Sequence, residues 1–368
     1  MADKIKMARR TTKAVPVGNV TLGGNGPVIV QSMTNVPTHD LDRTLEQIDQ
    51  MIEAGCEMVR LAVPTARDTA VLGEIVRQVP IPVIADVHFH YARALEAIQA
   101  GVSKIRLNPG NINDRKQVEE VIAAAREHGT AIRVGVNQGS IRVRDKQHTR
   151  AGEDDIEVLM VEKLREYVRI FQDNDFHNLV LSAKCHDAAH GIAVNRTISE
   201  QFDYPLHLGV THAGTIETGS IRSAVGLGTL LAEGIGDTIR VSLAGDPAVE
   251  IGVAWEILNT LALRPRRGPE LIACPTCGRT EIALLEMTEQ VSRALAGIKE
   301  PLTVAVMGCV VNGPGEAADA DVALCGGRDK AVIYRSGRKV ATVASSQAVE
   351  SLLEQVKIFI DNRMPHGQ

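Results

Sequence analysis

A repeated order of short β-branched runs and helical stretches fills residues 27–260 and limits the folds that this chain can adopt. Each repeat begins with an apolar run, continues through a loop and ends in an amphipathic or Ala-rich stretch. Eight runs are expected to be strands: Val28–Gln31, Met58–Ala62, Pro82–Val87, Lys104–Leu107, Ala131–Val136, Asn178–Ser182, Leu206–Val210 and Thr238–Leu243. The alternation of strands and helices predicts an α/β fold with a parallel sheet.

The number of repeats favours a (β/α)8 TIM-type barrel. Eight strands with seven intervening helices are followed by a closing helix at Pro247–Leu261, and such barrels need about 250 residues. A doubly wound open sheet is the competing architecture. It usually has fewer strands, and no dinucleotide fingerprint follows the first run. We interpret Gly226-Leu227-Gly228 as a site of close helix packing.

A second, smaller domain is expected after the barrel. Residues 264–269 contain two prolines, one glycine and three arginines, which is typical of a linker rather than a helix. We therefore assign residues 1–263 to the barrel and residues 264–368 to a small α+β domain. Its predicted elements are strands at Thr303–Met307, Val322–Leu324 and Ala331–Tyr334, and helices near 281–296 and 346–362.

Composition excludes several classes of protein. The net charge of −5 argues against a general nucleic-acid binder, which needs a cationic excess. The sequence has no run of about 18 apolar residues, so no membrane span is expected. Met1–Lys13 is basic but lacks the apolar core of a signal peptide, which predicts a cytoplasmic protein.

In the cytoplasm the six cysteines are expected to be core, redox or metal residues rather than disulfides.

Polar side chains cluster where the predicted strands end, which is the face that carries chemistry in barrels of this kind. Residues two apart on a strand share one side. This alternation selects the candidate substrate-binding residues Arg60, Asp86, His88, Arg106, Asn108, Arg133, Asn137, Lys184, Arg240 and Ser242. A single arginine is usually a surface ion pair, but five cations on apolar strands favour a bound anion, and their number favours a diphosphate. Asp86 and His88 either hold the substrate, relay a proton or pair with the arginines.

A cysteine constellation lies in the second domain. Cys274 and Cys277 form a CxxC pair, and Cys309 follows in a loop with three glycines and a proline. A CxxC pair alone fits a redox dithiol, half of a zinc site or part of an iron–sulfur site. Three thiolates favour a four-iron cluster, whose fourth ligand is either Glu316 or Cys325.

The motifs resemble those of the 4-hydroxy-3-methylbut-2-enyl diphosphate synthase family of the methylerythritol phosphate pathway. The resemblance covers nearly the whole chain. The residues that carry it are Cys274–Arg279, Gly308–Glu316, Val30–Asn35, Ile105–Asn111, Gly135–Asn137, Ser182–Lys184 and Arg240–Leu243. It implies a TIM-type barrel followed by a cluster domain that resembles part of sulfite and nitrite reductases. It also implies a homodimer in which the cluster of one subunit faces the barrel mouth of the other.

The resemblance further implies a [4Fe-4S] cluster on Cys274, Cys277, Cys309 and Glu316. The implied reaction is the reductive dehydroxylation and ring opening of 2-C-methyl-D-erythritol 2,4-cyclodiphosphate. Because no flavin or nicotinamide motif is present, reduced flavodoxin or ferredoxin is the expected electron donor. The rival functions are a barrel lyase or transferase with a structural zinc domain, and an iron–sulfur electron carrier or sensor.

One position departs from the family pattern. The family usually carries Thr-Glu-Ala-Gly at the end of the seventh strand, whereas this chain reads Thr211-His212-Ala213-Gly214. The family's acid is often considered for proton transfer. Here His212 is one candidate for that role, since the imidazole pKa lies near neutrality, and Glu217 is another. The alternative is that residue 212 only tunes the pocket.

Overall fold

The structure, a computed structural model, describes residues 7–87, 90–107, 114–139, 141, 156–211, 214–309, 311 and 313–363. The chain forms two compact units, Met1–Arg264 and Pro265–Gln368. None of the helices in these described stretches has the length and apolar character needed to cross a membrane.

The first unit is built around eight parallel strands. These strands are β3 (Ile29–Met33), β4 (Met58–Ala62), β5 (Val83–Asp86), β6 (Lys104–Leu107), β7 (Ala131–Asn137), β8 (Leu179–Lys184), β9 (His207–Leu208) and β10 (Thr238–Ile239). Their spatial order is β8-β7-β6-β5-β4-β3-β10-β9, and a single parallel bridge from Leu181 to Leu206 brings the two ends of the sheet together. The predicted α/β barrel is therefore confirmed.

Strands β9 and β10 are shorter than the sequence predicted. Their backbone groups find partners outside the strand ladder soon after each strand begins. The Thr211 N–H donates to the carbonyl of Cys185, and the Leu243 N–H donates to the carboxylate of Glu250. The Arg240 N–H still donates to the carbonyl of Leu208, and loop and side-chain acceptors replace strand pairing after that residue.

Helices connect the strands and cover the outside of the sheet. They are α1 (Leu41–Ala54), α2 (Ala66–Gln78), α3 (Tyr91–Gln99), α4 (Arg115–His128), α5 (Ile156–Asp173), α6 (Ala188–Gln201), α7 (Ile216–Ala232) and α8 (Pro247–Thr260). Helix α1 shows how the sequence specifies these helices. Ile48 and Met51 are buried on one face, and Gly55 ends the helix in the left-handed conformation with φ 102°. The buried faces join the strands in one large apolar core.

An N-terminal hairpin, which the sequence analysis missed, fills one end of the barrel interior. Strands β1 (Val15–Val17) and β2 (Val20–Leu22) are antiparallel. Their apolar residues pack against inward side chains of the barrel strands: Ile29, Met58, Ile84, Ala131 and Val180. The next inward residue on each strand lies two positions later, so the polar layer that includes Arg60, Asp86 and Arg133 begins directly after this apolar floor.

The second unit is an α+β domain with one mixed sheet. Its strands, in spatial order, are β11 (Glu270–Ala273), β12 (Thr303–Met307), β13 (Val322–Gly327), β14 (Lys330–Arg335) and β15 (Arg338–Ala344). Strands β11 to β13 are parallel, and β13 to β15 are antiparallel. Helices are α9 (Leu284–Leu295), α10 (Gly313–Asp319) and α11 (Ala348–Arg363). The edge strands β11 and β15 and helix α10 were not predicted.

Candidate functional site

A cluster of cationic side chains fills the barrel interior, with Lys104 level with the apolar floor and the other members beyond it. We call it the cation cluster, and its members are Arg60, Lys104, Arg106, Arg133, Lys184 and Arg240. Five of them are buried, with exposed fractions between 0% and 9%, and the Arg240 side chain is 16% exposed. Strand register places them together, because Arg106 pairs with Arg133 and Asp86 pairs with Arg106.

Two buried carboxylates partly balance the cation cluster. Asp86 lies 3.8 Å from Arg60 Nε and 3.6 Å from Arg106 Nη1. Glu250, from the first turn of α8, lies 3.4 Å from Arg240 Nη2 and accepts a hydrogen bond from Ser32 Oγ. Six cations facing two carboxylates leave a surplus of positive charge in this part of the described interior.

Arg133 shows most clearly that this surplus suits an anion. Its side chain is 4% exposed, and its Nε and Nη1 atoms have no hydrogen-bond partner among the described residues. Burial lowers the pKa of Arg133 well below its ordinary value, and the nearby charges of Arg60 and Arg106 lower it further. A buried cation with orphaned donors is costly unless an anion satisfies it.

Lys184 and His207 form a second buried polar contact in the same interior. The distance from Lys184 Nζ to His207 Nε2 is 3.1 Å. Burial lowers the pKa of Lys184 well below its ordinary value, and the charge of Arg133 adds to this effect. Lys104 is completely buried. Burial lowers its pKa as well, and the charge of Arg133 adds to this effect. Buried cations whose charged form is destabilised therefore lie on several strands of the barrel.

The structure brings together part of the predicted substrate set. Arg60, Asp86, Arg106, Arg133, Lys184 and Arg240 meet in the interior. Asn137, opposite Lys184 in strand register, and Ser242, beyond β10, are half-buried. Glu217 is exposed in the first turn of α7. His88, Asn108 and His212 lie outside the described residues.

Sequence reasoning missed Lys104, His207 and Glu250. Lys104 could have been found, because it lies two residues before Arg106 on the same strand. Glu250 is a carboxylate in a helix whose inward face is otherwise apolar, which is a weaker signal. His207 lies among apolar residues of the predicted strand Leu206–Val210, where a single histidine is a weak signal.

The cysteine region lies at one end of the parallel strands of the second unit. Cys274 directly follows β11, and Cys309 lies two residues after β12, its parallel neighbour. The Gly308 N–H donates to Cys274 Sγ over 3.2 Å. Parallel strands end at one edge of a sheet, so these two thiols belong to the same edge.

Cys277 and Cys325 have opposite environments. Cys277 is exposed, and the backbone N–H of Arg279 lowers the pKa of its thiol, which favours the thiolate that binds metals. Cys325 is 2% exposed among Ala305, Met307 and other apolar residues. Burial, with a smaller contribution from Cys309, raises the pKa of Cys325 to about 11. Cys325 therefore resembles a core thiol.

Glu316 is exposed in helix α10, and this corrects the prediction that it lies in a loop with Cys309. The chain turns into a short helix at Gly313, and Ala317 of this helix and Ala320 after it pack in the apolar cluster that includes Cys325. Within the described stretches, no three His, Cys, Asp or Glu side chains are gathered at metal-binding distance. The donor types suit a metal cluster, but the structure does not bring all four predicted ligands together.

Comparison with known proteins gives the family. The model of the GcpE TIM-barrel domain matches residues 12–255, and that of the GcpE protein C-terminal domain matches residues 270–358. The chain belongs to the GcpE family.

Curated GcpE relatives match over nearly the full length. Proteins from Lawsonia intracellularis and Geobacter sulfurreducens are 48% and 49% identical, with 96% and 94% of this chain and 97% of each relative covered. One from Geobacillus thermodenitrificans is 46% identical, with coverage of 95% of this chain and 92% of the relative. All three are named 4-hydroxy-3-methylbut-2-en-1-yl diphosphate synthase (flavodoxin).

Among solved structures, the chain is similar to the dihydropteroate synthase of Yersinia pestis, with a TM-score of 0.49 and 16% identity. That match covers 68% of this chain and 97% of the other. The GcpE barrel match contains the whole cation cluster, and the GcpE C-terminal match contains Cys274, Cys277, Cys309 and Glu316.

Proposed function

We propose that this GcpE chain converts 2-C-methyl-D-erythritol 2,4-cyclodiphosphate into 4-hydroxy-3-methylbut-2-enyl diphosphate by a two-electron reductive dehydroxylation that opens the ring. The names of the curated relatives support this reaction. The structural observation that carries the proposal is Arg133, which is buried with two orphaned nitrogen atoms inside a cluster of cations. A diphosphate group supplies the acceptors and the negative charge that such a cluster lacks.

The cation cluster has two roles in this proposal. It binds and orients the diphosphate in a buried place, where charge-assisted hydrogen bonds are strong. It also stabilises the negative charge that grows on the diphosphate oxygen as the ring C–O bond breaks. Asp86 and Glu250 help to keep Arg60, Arg106 and Arg240 in place through the ion pairs described above.

The second unit is proposed to hold a [4Fe-4S] cluster through Cys274, Cys277, Cys309 and Glu316. Two observations support this donor set: the Gly308 N–H points at Cys274 Sγ, and the thiol pKa of Cys277 is lowered. When bound, such a cluster supplies single electrons and an iron that acts as a Lewis acid. A reducing cytoplasm would keep these thiols available, so we place the protein there.

Electron supply is proposed to come from reduced flavodoxin or ferredoxin. We expect no turnover of the cyclic diphosphate with NADPH alone. Turnover is expected when flavodoxin and its reductase are added, because the chain has no flavin or nicotinamide motif. The measurement is product formation under anaerobic conditions, and dithionite with a viologen dye serves as the positive control. Turnover with NADPH alone would show that the proposed route of electrons is wrong.

The rival functions make different predictions for the same sample. A barrel lyase or transferase with a structural zinc domain would contain zinc and no sulfide. An electron carrier would contain iron and sulfide but would have no need of a buried cation cluster, which argues against that class.

Glu316 is proposed as the fourth cluster ligand. We expect Glu316→Gln to lose most turnover while three thiolates still form part of the cluster, since a carboxylate is an exchangeable ligand and a neutral amide binds iron weakly. Asp319→Asn, also exposed on helix α10, is the matched control and is expected to retain activity. Full turnover of Glu316→Gln would contradict this assignment.

We also propose that the protein is a homodimer, and helices α7 and α8 offer a face for a second copy. Ile221 and Val225 are 60% and 53% exposed. Ile221 borders a groove of about 400 Å³, which Ser220, Ala224 and Gly228 line together with residues of α8. In this proposal the same apolar face of each copy meets across a two-fold axis, as is usual for homodimers.

The dimer proposal has a direct test. Ile221→Asp is expected to convert a dimer into a monomer when mass is measured by light scattering after gel filtration. Val158→Asp is the control, because Val158 is similarly exposed, at 55%, on helix α5. A monomeric wild-type chain, or a dimeric Ile221→Asp variant, would contradict this assignment of the interface.

A further inference from the structure

The contact between Lys184 and His207 joins β8 and β9, the two end strands of the sheet that meet where the barrel closes. Lys184 ends β8, and His207 begins β9. Both are buried, with exposed fractions of 6% and 0%, and Lys184 Nζ is 3.1 Å from His207 Nε2. The Nδ1 atom of His207 is buried without a hydrogen-bond partner in the described part of the chain. The imidazole is thus directed at the lysine through one nitrogen only.

Gly209 provides the space that the Lys184 side chain occupies. A Cβ atom added at Gly209 would lie 2.7 Å from Lys184 Nζ and 2.8 Å from the backbone oxygen of Arg240. Real Cβ atoms do not approach other atoms this closely, so any larger residue would move the lysine or the backbone. The glycine is required here for close approach rather than for an unusual backbone conformation.

We propose that His207 and Gly209 are positioning residues for Lys184. Neutral His207 carries its proton on Nδ1 and accepts a hydrogen bond from the Lys184 ammonium at Nε2, while Gly209 leaves room for that ammonium to face a diphosphate. This inference rests on the proposed function, because the diphosphate is the ligand that Lys184 would contact.

The charges around His207 favour this arrangement. The charged groups that act on it most strongly are Lys184, Arg133, Lys104 and Arg60, and all four are cationic. Burial, followed by the charge of Lys184, lowers the pKa of His207 well below its ordinary value. Arginine and lysine side chains have no acceptor, so they cannot accept the protons of the Lys184 ammonium, whereas a neutral imidazole nitrogen can.

The tautomer of His207 can be measured without any turnover. In the full-length, cluster-loaded protein labelled with 15N-histidine, we expect the nitrogen shifts of His207 to show a neutral ring protonated at Nδ1. This state is expected at neutral pH when inorganic pyrophosphate is bound, because the anion favours the charged form of Lys184. The signals are assigned by their loss in His207→Gln. A charged ring, or a proton on Nε2, would overturn the proposal.

Two variants at the same position separate positioning from packing. His207→Gln keeps an acceptor and is expected to bind the cyclic diphosphate within about threefold of wild type. His207→Leu removes the acceptor and is expected to bind about tenfold more weakly, with KM rising and kcat little changed. Wild-type affinity in His207→Leu, or equal losses in both variants, would overturn the proposal.

Gly209→Ala adds an independent variant. It is expected to weaken binding at least as much as His207→Leu, and the double variant is expected to lose less than the sum, because both changes act on one lysine. Fully additive losses would contradict a shared action through Lys184. If wild type fails to bind the cyclic diphosphate, the proposed function fails, while the tautomer measurement still decides whether the His207–Lys184 hydrogen bond exists.

Discussion

Arg133→Met is expected to weaken binding of the cyclic diphosphate by about 10- to 150-fold without lowering the melting temperature of the ligand-free protein. A lost charge-assisted contact costs about 1.5–3 kcal/mol, which corresponds to that range of affinity. The stability of the ligand-free variant is expected to be maintained, because Arg133 in the wild type is buried among like charges with orphaned donors. Replacing an uncompensated buried charge by an apolar side chain of similar length is often neutral or stabilising.

Calorimetric titration and thermal unfolding measure the two halves of this prediction on the same samples. Arg169→Met is the matched control, because Arg169 is exposed on helix α5, and it is expected to change neither quantity by much. A variant that loses stability and keeps its affinity would show that Arg133 is a structural residue. Weaker binding without a loss of stability is typical of a residue that is retained for ligand binding although it does not stabilise the fold.

Cys309→Ser is expected to lose most of its iron, its visible absorption and all turnover, while diphosphate binding in the barrel persists. A serine oxygen is a poor substitute for a thiolate at a cluster iron. Cys325→Ser is the matched control, since both thiols are buried and Cys309 contributes to raising the pKa of Cys325. We expect Cys325→Ser to keep the cluster and activity, because its side chain packs with alanines and Met307.

The pair of cysteine variants decides which thiols hold the cluster. Loss of the cluster in Cys325→Ser, combined with full turnover in Glu316→Gln, would move the fourth ligand from Glu316 to Cys325. Equal retention in Cys309→Ser and Cys325→Ser would remove Cys309 from the ligand set. Iron content and the visible spectrum of anaerobic samples are the measurements in each case.

Parts of this molecule follow from local sequence rules. Strand β4 (Met58–Ala62) and strand β6 (Lys104–Leu107) were predicted at their observed bounds, because in each an arginine lies between apolar neighbours in a short run with strand character. Side-chain alternation along the strands placed Arg60 and Arg106 on the inner side. The barrel and its cationic interior were predictable because each feature is repeated on several strands.

Other parts depend on contacts between distant residues and could not be read from local patterns. The hairpin β1–β2 is fixed by burial against five separate barrel strands, none of which is visible in its own short sequence. The contact of His207 with Lys184 forms only because β9 lies beside β8 in the folded chain, so the role of His207 could not be predicted from its own strand. Glu316 was assigned to a loop because glycines and a proline usually break helices, yet packing of Ala317 in the second unit stabilises a short helix there.

The most direct test of the whole account is metal and sulfide analysis, with a visible spectrum, of protein purified without oxygen. We predict brown protein that contains about four iron and four sulfide per chain, and whose reduced cluster is reoxidised when the cyclic diphosphate is added. Zinc without sulfide, or a cluster that the cyclic diphosphate leaves reduced, would contradict the proposal that this GcpE chain is a reductive diphosphate synthase.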